Sequence, residues 1–168
     1  MLTEKSAEMI FSARYWGDVT FAFDNVDDYD LIEKKLRIIE KYHKHGNVKF
    51  YVLCGFKGNG IQEVEDTFKR IELLRRYRCL PYIMRYRGPD GIRPTDTGEY
   101  AGIFTALARW CNQPAYCKKQ SLWEYAYITD QKAIRTPGKL CAPARALEHL
   151  KSTYPAIHDR YVYARFGE

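Results

Sequence analysis

The chain has 168 residues, which fits one domain and is long enough to bury a real core. Its 46% hydrophobic and 29% charged residues exclude the composition of a disordered chain. The net charge of +6 favours contact with nucleic acid or an acidic partner, and the 14 tyrosines offer rings that pack while their hydroxyls stay available.

Five cysteines at irregular spacing, Cys54, Cys79, Cys111, Cys117 and Cys141, do not make a disulfide framework and read as reduced thiols of a cytoplasmic protein. Charges at Glu4, Lys5, Glu8 and Arg14 leave no signal-peptide core, and no apolar run is long enough to span a membrane.

In chain order, Ala7, Ile10, Phe11 and Ala13 predict an amphipathic helix from Thr3 to about Trp16. Val19–Phe23 reads as a short strand ending at Asp24. A helix is expected from Asp28 to His45, stopped by Gly46, with Ile32, Leu36, Ile39 and His43 on one face. The apolar run Val48–Phe56 predicts a strand buried on both faces of a parallel sheet. A helix over Gln62–Arg78 follows, then a third strand over Leu80–Tyr86 with Pro81 at its start.

Strand, helix, strand, helix, strand implies parallel pairing through right-handed crossovers. Arg87–Gly98 is a long Gly, Pro and Asp loop. Glu99–Cys111 reads as a helix, and Ser121-Leu-Trp-Glu124 as a capping box opening another. Pro137–Pro143 breaks the chain before a last helix ending near Thr153, and the tail His158–Phe166 alternates like an edge strand. The expectation is a single α/β domain over 1–168: a βαβαβ core at 17–90 and a mainly helical C-terminal extension at 98–168. Its roughly three-stranded, incomplete (βα) barrel-like sheet leaves both edges available unless a helix, the tail or another chain covers them.

Phe21-Ala-Phe-Asp24, Tyr51-Val-Leu-Cys-Gly-Phe56, Arg70-Ile-Glu-Leu-Leu74, Pro81-Tyr-Ile-Met84 and Ala108-Arg-Trp-Cys-Asn112 carry a resemblance. In order and spacing they resemble the C-terminal half of a radical SAM partial barrel, of the kind carried by phages and mobile elements. The resemblance implies a remnant SAM pocket, with Asp24 at the ribose and Gly55 and Met84 at the adenine. That family needs three thiolates in C-x-x-x-C-x-x-C spacing to hold a four-iron cluster. Here Cys111 and Cys117, with five residues between them, come nearest. No cofactor and no metal are therefore expected, and His43, His45 and Cys54 lack the further ligands of a zinc site.

Three stretches carry binding chemistry. Gly55-Phe-Lys-Gly58-Asn-Gly60 sits between strand and helix, where amides cradle a phosphate or simply turn the chain. Residues 69–93 hold eight basic residues against two acidic ones, an excess equal to that of the whole chain. Arg75, Arg76 and Arg78 end a helix, where they either meet phosphates or complement its dipole. Arg85 and Arg87 follow strand period near Tyr82, Tyr86 and Trp110, and Arg93 lies beyond. Arg160 and Arg165 interleave with tail aromatics, suiting stacked bases or an edge strand.

These arginines lead to the expected function, a non-enzymatic, homodimeric binding protein that engages nucleic acid or a nucleic-acid-handling protein. An inhibitor of host defence such as an anti-CRISPR is one form of it. The alternative is the cluster-less half of a split radical SAM enzyme.

Overall fold

A computed structural model describes residues 2–13, 17–43 and 47–168. The expected helix ends at Trp16 and His45, with the Gly46 stop, lie outside the described residues. Thr3 and Ser6 form a capping box that opens α1 (Glu4–Ser12). Strand β1 (Val19–Ala22) leads through a 3-10 turn (Val26–Asp28) into α2 (Tyr29–Tyr42), which buries Leu36 and Ile39. Strand β2 (Val48–Cys54), α3 (Ile61–Arg76) and β3 (Leu80–Arg85) complete the expected core.

The sheet is three-stranded, parallel, in the order β1-β2-β3, and does not close into a barrel. With that order, right-handed crossovers place α2 and α3 on the same face. β2 records the result in its alternation: Val48, Phe50, Val52 and Cys54 are buried, whereas Tyr51 between them is exposed. The strand is therefore not covered on both faces, as its apolar run predicts. Tyr51 and Leu53 are apolar in type but belong to the uncovered side.

After β3, a turn at Pro94–Asp96 precedes α4 (Ala101–Cys111), which packs on β3. Next come α5 (Pro114–Lys119) and α6 (Leu122–Glu124), opened by the Ser121–Glu124 capping box. A π-helical stretch follows (Tyr125–Asp130), then α7 (Ala142–Thr153) and α8 (Pro155–Tyr161). The tail is thus helix and turns rather than an edge strand. Pro155 starts the helix, and His158, Tyr161 and Val162 are buried at i, i+3, i+4, a helical period that the alternating tyrosines disguise.

The free edge of β3 is closed by one side chain. Asn112, capping α4, accepts a hydrogen bond from the Ile83 amide at 2.7 Å and donates to the Ile83 carbonyl at 3.0 Å. It mimics a neighbouring strand for one residue. Asn112→Ala removes both bonds and is expected to cost about 1–3 kcal/mol, read from urea denaturation.

Candidate binding site at the carboxyl end of the sheet

Open parallel sheets place ligands beyond the carboxyl ends of their strands. At that end of β1 and β2 lies a cavity of about 220 Å³, bounded by Asp24, Asn25, Phe56, Lys57, Glu63 and Arg70 among others. Its floor is a buried ion pair, Arg70 to Glu63 at 3.4 Å, with side chains 2% and 7% exposed. Arg70 Nη1 donates to the carbonyls of Asp24 and Leu53, both at 2.7 Å, and Phe23 at 3.4 Å. Nη2 donates to Thr67 Oγ1, and Nε to the Asp66 carbonyl. Glu63 Oε1 also accepts from the Gly55 amide at 2.9 Å.

Burial raises the Glu63 pKa against the opposing pull of the Gly55 amide and Arg70, and burial lowers that of Arg70. Burial thus outweighs the help that each charge receives from its partners.

Gly55 adopts φ +82°, and a Cβ there would meet Thr95 Cγ2 at 2.4 Å, so this position requires glycine. Its amide is committed to Glu63, which favours the turn reading of the glycine loop. Lys57 folds over the cavity mouth onto Asn25 and Asp27. Of the three residues of the expected remnant pocket, Asp24 lines this cavity, whereas Gly55 and Met84 are not among its lining residues. Asp24 accepts from the Leu53 amide at 3.1 Å, and Met84 stands beside Leu53 in register.

The basic window does not converge. Arg75 is not a surface binding residue: it is 2% exposed, donates to the carbonyls of Ala164, Cys117 and Gln120, and lies 4.4 Å from the Trp110 ring centre. Trp110 is likewise core and stacks on nothing external. Arg76 pairs with Glu33, Arg160 with Glu72 and Arg165 with Glu124. Arg78, at φ 56°, and these three belong to α3's carboxyl end and the tail, away from the cavity. Arg85 and Arg93 share Asp96, and Arg85 also reaches Thr105 on α4, so it turns away from Tyr82. Arg87 is exposed and makes none of the ion pairs found among the described residues.

Among the described residues, no group of three or more His, Cys, Asp or Glu could hold a metal ion. All five cysteines are free and buried, and burial pushes the Cys54 and Cys79 thiols up to about 12, which keeps both protonated at neutral pH.

Glu63 was not among the residues expected to form a site, and Phe56, Lys57 and Arg70 entered only as members of the glycine loop and the basic window. The available signal is that Glu63 and Arg70 fall seven apart on the same stripe as Val64, Thr67, Phe68 and Ile71, where charge is out of place. Fold and site together define a small α/β protein with a half-covered parallel sheet and, at its carboxyl end, a largely apolar cavity with a buried ion pair in its wall. The chain matches no family model, no curated protein and no solved structure.

Arg70→Met leaves Glu63 buried without its cation and is expected to cost about 3–5 kcal/mol in urea denaturation. Arg70→Lys is expected to recover only part of this, because one ammonium cannot serve the carbonyls and Glu63 together.

Proposed function

We propose that the chain is a non-catalytic binding protein of the cytoplasm, a degenerate radical-SAM-like domain that holds nucleic acid or a nucleic-acid-handling protein. The observation that carries the reading is the uncovered face of the sheet. Parallel sheets are normally buried on both sides, and a contiguous exposed apolar face marks a place where something else binds. Thr20, Ala22, Lys49, Tyr51, Leu53, Tyr82 and Met84 make up that face, with Tyr51 41%, Tyr82 36% and Met84 44% exposed. Tyrosine and methionine are residue types that binding surfaces favour.

Support from charge is narrower than the sequence window, and concentrates on Arg85, Arg87 and Arg93 at the end of β3. Inhibition of a host defence nuclease by a phage or mobile element remains the form of binding that best suits a small basic chain without cluster ligands. A homodimer belongs to the same proposal, since a second copy would cover the face. In the second reading the chain is half of a split radical SAM enzyme. The uncovered side is where a barrel interior would lie, which favours a companion half-barrel there.

Two measurements test the proposal. Tagged chain recovered from its native cell, with and without nuclease treatment, is expected to bring down nucleic acid or a protein that handles it, and R85E/R87E/R93E to weaken that capture at least tenfold, about 1.4 kcal/mol. Undiminished capture by the reversed variant would sink the reading. After anaerobic iron and sulfide reconstitution the lone chain is expected to stay colourless; a charge-transfer band near that of an iron–sulfur cluster would favour the enzyme.

A further inference from the structure

We propose that the cavity at the carboxyl end of β1 and β2 takes a small organic cation, a primary ammonium on a short apolar body, held by the free carboxylate oxygen of Glu63. The site goes beyond the reading above and stands or falls apart from it.

The wall holds one unspent acceptor in a buried place. Glu63 is 7% exposed, and its Oε1 already accepts from the Gly55 amide at 2.9 Å and from Arg70 Nη2 at 3.4 Å. Its Oε2 accepts none of the hydrogen bonds found among the described residues. Nor does that oxygen belong to their sealed and partnerless atoms, which are Arg75 Nε, Arg93 Nε, Thr95 Oγ1 and Tyr161 Oη. An oxygen that is neither bonded nor sealed reaches open space, and the space that Glu63 lines is this cavity. Burial also holds the Glu63 pKa above its ordinary value against the pull of the Gly55 amide and Arg70. Those partners leave the charge under-compensated, and a cation in the cavity supplies what they lack.

Charge and size select the ligand. In the lining, Asp24, Glu63 and Asp66 stand against Lys57 and Arg70, three acids to two bases in a chain whose net charge is +6. Both bases are engaged, Arg70 with Glu63 Oε1, Thr67 and backbone carbonyls, Lys57 with Asn25 and Asp27. Asp24 and Asp66 use Oδ1 toward the Leu53 amide and Gln62, and their Oδ2 atoms accept none of the hydrogen bonds found among the described residues. An anion would meet these carboxylates and only bases already committed. Among the described residues the acids form no group able to hold a metal ion, so the cation that suits them is organic. Val26, Leu53 and Phe56 give its body apolar surface. The volume of about 220 Å³ is below the roughly 300 Å³ at which drug-sized sites begin, which limits that body to about one ring.

The test is an amide NMR titration with 2-phenylethylamine, run beside 3-phenylpropionate and 2-phenylethanol, which carry the same ring with an anionic or a neutral head. Expected are saturable shifts at the Asp24, Asn25, Gly55 and Lys57 amides and an affinity for the amine about tenfold or more above that for either control. Glu63→Gln keeps the bonds of Oε1 and turns Oε2 into a donor, and is expected to lose about tenfold. D24N/D66N keeps the acceptors used by Leu53 and Gln62 and is expected to lose about threefold, a measurement that stands even where Glu63→Gln unfolds the chain. Unchanged urea midpoints are expected for D24N/D66N. Equal affinity for the acid or the alcohol overturns the cation preference, and binding that neither variant weakens overturns the carboxylate contact. Shifts confined to other parts of the chain overturn the site, and adenosine bound more tightly than the amine overturns it in favour of a nucleoside pocket. Failure of the amine to saturate by about 10 mM overturns it outright. None of these results bears on capture of nucleic acid through Arg85, Arg87 and Arg93.

Discussion

The carboxyl end of the sheet depends on one guanidinium. Where β1 and β2 end, the carbonyls of Phe23, Asp24 and Leu53 converge with no neighbouring strand to serve them. An unpaired buried carbonyl costs about as much as a lost hydrogen bond. Arginine is the side chain whose fixed fork of donors can reach several acceptors at once while staying charged. Its charge is tolerated there because Glu63 shares the burial, and Glu63 in turn spends its remaining acceptor capacity on the Gly55 amide. The turn at Gly55 and the ends of both strands are tied together by that arrangement.

Arg75, five residues on from Arg70, does comparable work at the opposite end. It ties α3 to the carbonyls before α6 and in the tail, beside the Trp110 ring. Two of the eight basic residues of the window are therefore internal fasteners, and most of the others are neutralised by carboxylates within a few ångströms. Linear charge density overstated the basic surface, since a helix distributes consecutive arginines around its axis and the fold then pairs several of them with carboxylates. What folding leaves exposed instead is the ring-bearing side of the sheet.

Much of the architecture was legible from short-range chemistry. Apolar periodicity located α2 and α3, and the Ser121 capping box marked the start of α6 because its two hydrogen bonds are local. The order of strands and helices implied parallel pairing for steric reasons that act within each crossover. The face left open was not legible: Tyr51, Leu53, Tyr82 and Met84 are apolar or aromatic in type, and nothing in their identity distinguishes a strand covered twice from one covered once. The tail was misread because tyrosines at alternate positions suggest a strand, while the helix is decided by Pro155 and by three residues buried against the rest of the fold. Arg70 and Glu63 stood in plain view as charges in an apolar stripe, but their partners are carbonyls, which every residue has and no sequence marks.

Asn112 closes the sheet on the β3 side, and β1 is left as the one edge for which no such side-chain closure is found among the described residues. A protein with two open edges can add copies without limit and grow into fibres, whereas one with a single open edge can join only once. Two such chains meeting edge to edge about a twofold axis exhaust each other's capacity. A single amide side chain thus occupies the β3 edge at Ile83, at a place distinct from the open face.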